Sequence, residues 1–441
     1  MHCALLHKAL LTFANENDMK SSHRFALSLI VSALGFAASP LAPLSMSAAQ
    51  AQAAAGDTVR PEIGKLSKPL QDAIAAKQFP EATAILAQID AMTGKSAYET
   101  YYADTARATI AQGTGDKAGT VAAYRKLVDS GRLGPAVQVK TIQQLGARYY
   151  ELQDYPQAIV WLSRFLKEAG DDRDMRLLLA QSHYLSNDFP NTIKETRALV
   201  KADEAAGVKP PEATLQLLVS AATNAKDSAA TSEALEKYVL YYPKKEYWNE
   251  LINRVTARPG HSQRLLLDVY RLKFATGTMN SANDYMVMTQ LLLQAGFPGE
   301  AKKVADQGYA SAVMGGGSAS DIRVQQELRD KVNKDAAADL KNLAAGEADA
   351  NKPGKDGSGL SNLGFALVQA GQFDKGLALM ERGAARGLGV RAEEGKLHYG
   401  IAQMLAGRRD DALKTFASVG GSDGAADLAR YWALHLQSTK A

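Results

Sequence analysis

The chain has 441 residues, 51 basic and 47 acidic, for a formal net charge of +4, and 46% of its residues are hydrophobic. Basic and acidic side chains alternate instead of gathering into a patch, which argues against a nucleic-acid binder and for solvated helix faces. The single cysteine, Cys3, stands at the very start, so a disulfide framework and Cys-His catalysis are excluded for the remainder.

In chain order, residues 1–53 do not belong to the fold. From Met19 the sequence runs through Lys20 and Arg24, an apolar stretch from Phe25 to Ala38, and Ala51-Gln52-Ala53 ahead of Ala54, the layout of a secretory signal peptide. Glu16 and Asp18 are out of place ahead of such a stretch and point to Met19 as the translation start. The apolar run of 14 residues is short for a membrane span, and no later segment is longer. The expectation is a chain exported by a cleavable signal to the periplasm, with no membrane insertion after the signal is removed.

After Gly56, helical periodicity continues almost unbroken to Gln437 without the alternation of a strand, so the fold class is expected to be all-α. Helix pairs are predicted at about 66–93, 96–130, 135–169, 173–204, 211–242, 244–275 and 281–313. Such a pair cannot cover its own apolar face, so neighbours must stack on it. Met314-Gly315-Gly316-Gly317-Ser318 reads as a flexible break, residues 319–345 as a charged helix, and Gly346 to Gly359 as a polar loop too rich in Gly, Pro and Asp for helix. The expected domains are therefore 54–313, a helical linker with loops at 314–357, and 358–441, where Ala425 to Gln437 caps the last repeat.

One stretch, Leu145 to Leu166, shows a complete unit. Leu145, Gly146, Tyr149 and Leu152 share one helical face, Asp154-Tyr155-Pro156 turns the chain, and Ala158, Ile159, Leu162 and Phe165 form the next stripe. Its Tyr155-Pro156 pair returns 34 residues later as Phe189-Pro190, and aromatic-Pro recurs at Phe79-Pro80 and Phe297-Pro298. Leu363-Gly364 and Tyr399-Gly400 repeat the register near the C-terminus. In these residues the chain resembles the tetratricopeptide repeat family. The resemblance implies a right-handed α-solenoid of stacked helix-turn-helix repeats that holds a peptide or protein partner in a concave groove lined by the first helix of each pair. Carried over by register, Gln143, Tyr150, Gln181 and Tyr184 face that groove. The clamp variant of the family, which needs Lys, Arg and Asn there, has Gln, Ala and Tyr in this chain. Tyr241 to Val313 is also similar to periplasmic tetratricopeptide proteins associated with TonB, ExbB and ExbD energy-transduction systems.

No motif carries chemistry on its own. Asp349 to Gly359 has calcium-loop composition, but Pro353 occupies a ligand position and Leu360 stands where a bidentate Glu belongs. Gly420-Gly421-Ser422-Asp423-Gly424 matches a nucleophile elbow, yet a helix and not a strand leads into it. His183, His261, His398 and His435 stand far apart with no metal-ligand spacing. No catalytic residue, metal or cofactor is expected. The tyrosines at 98, 101, 102, 238, 241, 242 and 247 and Trp248 are expected to wedge helices apart, with sugar stacking as the alternative. The reading is a non-enzymatic scaffold for a protein partner of the cell envelope, and the alternative is a polysaccharide or peptidoglycan binder.

Overall fold

A computed structural model describes residues 57–352 and 355–439, except for the side chains of residues 339–345. The signal-peptide reading of residues 1–53, with its start at Met19, lies outside the described residues. Among those described there is helix and no strand. The chain is divided into two compact units, Met1–Asp227 and Ser228–Ala441. The expected boundary at 314–357 thus falls inside the second unit.

The first unit contains α1 Pro61–Ala75, α2 Phe79–Asp90, α3 Ala97–Thr114, α4 Lys117–Asp129, α5 Pro135–Glu151, α6 Tyr155–Ala169, α7 Arg173–Leu185, α8 Phe189–Ala205 and α9 Glu212–Asn224. The α5–α6 and α7–α8 turns are each three residues long and are built the same way. Gln153 takes a left-handed φ of 61° and Asn187 one of 59°. The next N–H closes onto the preceding helix, Asp154 to the Tyr149 carbonyl at 3.0 Å and Asp188 to that of His183 at 2.8 Å. The aspartate side chains then accept from the N–H groups of Gln157 and Asn191, and Pro156 and Pro190 need no donor at the first turn. This chemistry fixes a period in the chain.

Packing follows from that register. Gly146 lets α6 approach until an added Cβ would lie 2.7 Å from Leu162, and Leu145, Tyr149, Trp161 and Phe165 close one apolar cluster across the hairpins. At the start of the unit, buried Glu99 completes the Ser96 capping box and takes the Arg60 guanidinium at 2.8 Å.

The second unit contains α10 Ser228–Tyr241, α11 Lys245–Thr256, α12 Leu266–Ala275, α13 Ala282–Gln294, α14 Pro298–Ala310, α15 Ala319–Ala350, α16 Ser358–Gln369, α17 Phe373–Arg386, α18 Ala392–Leu405, α19 Arg409–Ala417 and α20 Ala425–Ser438. Helices α16 and α17 meet backbone to backbone, since a Cβ on Gly364 would sit 2.5 Å from the Gly376 carbonyl oxygen. The last helix, α20, packs against α18 and α19 and also against α10 and α12, so it does more than cap the final repeat.

Two expectations are corrected here. The segment from Gly346 is helical through Ala350, because α15 continues to 32 residues. Its end is held by α17: Arg382 donates to Asn351 Oδ1 at 2.8 Å, and Arg386 Nη1 donates to the terminal Ala350 carbonyl at 2.9 Å. Tertiary donors outweigh the local glycine here. Nor is the glycine run at 315–317 unanchored. Buried Gln325 accepts from the Gly315 N–H at 2.5 Å and donates to the Gly316 carbonyl at 3.1 Å, while Met314 is buried beneath it.

Candidate functional site

In the first unit, Tyr150 and Tyr184 stand on the first helices of successive hairpins, and both are half-buried. Each ring meets the aromatic that opens the following helix edge-on, Tyr150 with Tyr155 at 5.7 Å and Tyr184 with Phe189 at 5.6 Å between centroids. Burial pushes the Tyr150 hydroxyl up from its ordinary pKa, with Tyr155 adding to the effect. The Tyr184 hydroxyl reaches α9, 2.7 Å from Ser220 Oγ, and accepts from Asn224 Nδ2 at 3.3 Å. A strip of hydroxyl, amide and ring edges thus crosses α5, α7 and α9. Gln143 is half-buried on α5, whereas Gln181 is only 8% exposed and offers a partner little surface.

Half of the eight rings considered for sugar stacking are buried between helices. Tyr101, Tyr102, Tyr238 and Trp248 are buried, and Tyr238 lies 3.8 Å from Tyr247 between ring centroids. The Gly420–Gly424 turn caps α20 and brings Gly424 against His261, but both ring nitrogens of His261 are buried and make no hydrogen bond, so His261 is not paired with Ser422. Asp349, from the calcium-like loop, is instead paired with Lys352 and Lys355 at 2.8 and 2.5 Å.

The second unit gathers charge that no local spacing announced. Arg271 on α12 is buried between the rings of Phe297 and Phe365, 5.0 and 4.8 Å from their centroids. Glu300 grips it on two nitrogens at 2.8 and 3.0 Å, and its Nη1 donates to Asp268 Oδ1 at 2.9 Å. The same Oδ1 lies 2.7 Å from Nε2 of His398, which is 130 residues away in sequence. Burial opposes charge on Arg271, yet Glu300 and Asp268 hold its pKa above the ordinary value. Burial likewise opposes charge on Asp268, and His398 and Arg271 outweigh it, holding the carboxyl below its usual range. Glu394, one turn before His398 on α18, completes a group of three metal-type donors with Asp268 and His398.

A polar cleft of about 740 Å³ lies between α10, α11 and α20. Its guanidinium groups are committed: Arg430 pairs with Glu236 at 2.9 Å and Asp427 at 3.1 Å, Arg258 with Asp427 at 2.5 Å, and Arg254 with Ser228 Oγ at 2.7 Å. Burial pushes the Glu236 carboxyl up, with Arg430 working against it. These contacts tie α20 to α10 and α11.

The architecture is therefore an all-α helical repeat of stacked hairpins in a tetratricopeptide-like register. No protein-family model matches the chain, and no characterised protein matches it in sequence. Among solved structures it is similar to the TPR2AB-domain:pHSP90 complex of yeast Sti1, at 13% identity over 69% of this chain and 99% of that one, with a TM-score of 0.22. It is similar to Naa15/Naa10 bound to HypK-THB at 12% identity, over 83% of this chain and 70% of that one, with a TM-score of 0.24. For yeast Tom70 the identity is 12% over 85% and 96% of the two chains, with a TM-score of 0.20. Scores this low carry no weight for a shared arrangement, and the architecture rests on the hairpins themselves.

Proposed function

We propose that the chain is a non-enzymatic scaffold that holds a protein partner along helices α5, α7 and α9. One observation carries this: half-buried Tyr150 and Tyr184, with Ser220 and Asn224, repeat the same kind of surface from hairpin to hairpin. A repeated strip of ring edges and hydroxyls suits an extended peptide segment, because tyrosine combines large contact area with a hydrogen-bonding end. The signal-peptide pattern between Met19 and Ala54 supports a periplasmic setting, and the likeness of Tyr241 to Val313 to TonB-associated repeat proteins supports a place in an envelope transport assembly. The polysaccharide alternative is weaker, since Tyr101, Tyr102, Tyr238 and Trp248, half of the rings that would carry it, are buried.

The test is site-specific photo-cross-linking in cells that naturally make the protein, from positions 150 and 184, with exposed Val160 on α6 as the control. Capture of one protein from 150 and 184 and not from 160 supports the reading. Equal capture from all three positions, or retention of the purified protein on cell-wall glycan with no protein captured, defeats it.

A further inference from the structure

We propose that Asp268, Glu394 and His398 bind one divalent transition-metal cation, with Zn²⁺ as its representative. Glu394 and His398 are four residues apart on α18, so one helical turn puts carboxylate and imidazole on the same face, and Asp268 arrives from α12. One donor atom from each lies within 4.8 Å of the others. Donors 2.0–2.2 Å from a shared tetrahedral ion stand about 3.4 Å apart, so Asp268 Oδ1 and His398 Nε2, now 2.7 Å apart, part by less than about 1 Å to admit it while the Glu394 carboxylate closes on both.

Three further observations favour a cation. The first is charge. Arg271 is shared between Glu300 and Asp268, so with half-buried Glu394 three carboxylates face one guanidinium beside the imidazole, with Asp268 2% and His398 8% exposed. A surplus of carboxylate in so enclosed a cluster calls for a further cation. The second is an orphan: Glu394 Oε2 is buried and makes no hydrogen bond. The third is a conflict at His398 Nε2, which lies 2.7 Å from Asp268 Oδ1 and 3.3 Å from Arg271 Nη1. A protonated Nε2 satisfies the aspartate and opposes the guanidinium, and an unprotonated one does the reverse. A cation in place of that proton is ligated by Nε2 and Oδ1 together, and Arg271 becomes an outer hydrogen-bond partner of Asp268. One imidazole with two carboxylates and no thiolate suits Zn²⁺, Mn²⁺ or Fe²⁺ better than Ca²⁺ or Mg²⁺, which favour oxygen alone.

The full chain, stripped of metal by a chelator, is titrated with Zn²⁺ by calorimetry beside the variants Glu394→Gln and His398→Gln. One Zn²⁺ per wild-type chain is expected, with a rise in Tm, and each variant should bind more weakly by more than the roughly 10–100-fold that loss of an outer partner costs. Glu394→Gln leaves the Arg271 ion pairs in place, so its metal-free unfolding should match wild type, which separates lost coordination from misfolding. Equal affinity in wild type and both variants, or the lack of one-to-one binding, overturns the proposal and leaves Asp268 and Glu300 as counter-ions of Arg271 alone.

Discussion

The two units bury their helices by different means. In the first, hairpins meet through small and aromatic residues at one period: Gly146 under Leu162, Tyr149 and Trp161 between helices, and aspartate caps at the Asp154 and Asp188 turns. These contacts join helices that follow one another, and Arg60 with Glu99 and Tyr184 with Ser220 reach only one helix further. In the second, contacts join helices far apart in sequence, as in Asp268 with His398, Arg258 with Asp427 and Glu236 with Arg430, and many are ionic. A periodic stack can be shortened or extended at its ends with local effects, whereas a core closed by long-range charge pairs depends on every member.

The largest expected effect tests that dependence. Arg271→Ala leaves Glu300 and Asp268 buried without their partner, a loss of about 3–5 kcal/mol. Hydrogen exchange followed by mass spectrometry should show protection lost across residues 228–439 and kept across 57–227. Equal loss in both would end the contrast.

A smaller effect belongs to the first unit. Arg60, donating from its guanidinium and its backbone N–H, and the Ser96 N–H hold the Glu99 carboxyl pKa down to about 2. Its unfolded value is near 4.3. Because the folded pKa is the lower one, the stabilisation is fully present above about pH 5 and is lost as pH falls toward 2. Glu99→Gln should cost about 1.5–3 kcal/mol at neutral pH and flatten that part of the acid-unfolding curve, read by circular dichroism. An unchanged curve would mean that the first unit does not lean on this pair.

The smallest effect is a gain. Gln153 holds a left-handed backbone that favours glycine, so Gln153→Gly should stabilise the first unit by up to about 1 kcal/mol in urea titration. Destabilisation would show that the Gln153 side chain contributes more than its backbone costs.

The same contrast explains what could be read from sequence. Turn chemistry and apolar spacing are local, so Asp154-Tyr155-Pro156 and its counterpart at Asp188 announced both hairpins and their register. The helical end of α15 was hidden because Arg382 and Arg386, which hold it, come from α17. Of the residues placed by register, Tyr150 and Tyr184 are half-buried, while the burial of Gln181 depends on neighbouring helices that spacing does not describe. The charge centre left no local mark at all: His398 occurs in an ordinary helical run, and its partner Asp268 lies in another.

The return of α20 onto α10 also sets an order of events during synthesis. Hairpins of the first unit can close soon after they leave the ribosome, since each needs only its neighbour. Helix α10, by contrast, emerges with a face that stays uncovered until Ala425–Ser438 has been made. The second unit therefore completes its core only when its last helix is free, and in the interval that exposed face is a natural target for chaperones and proteases.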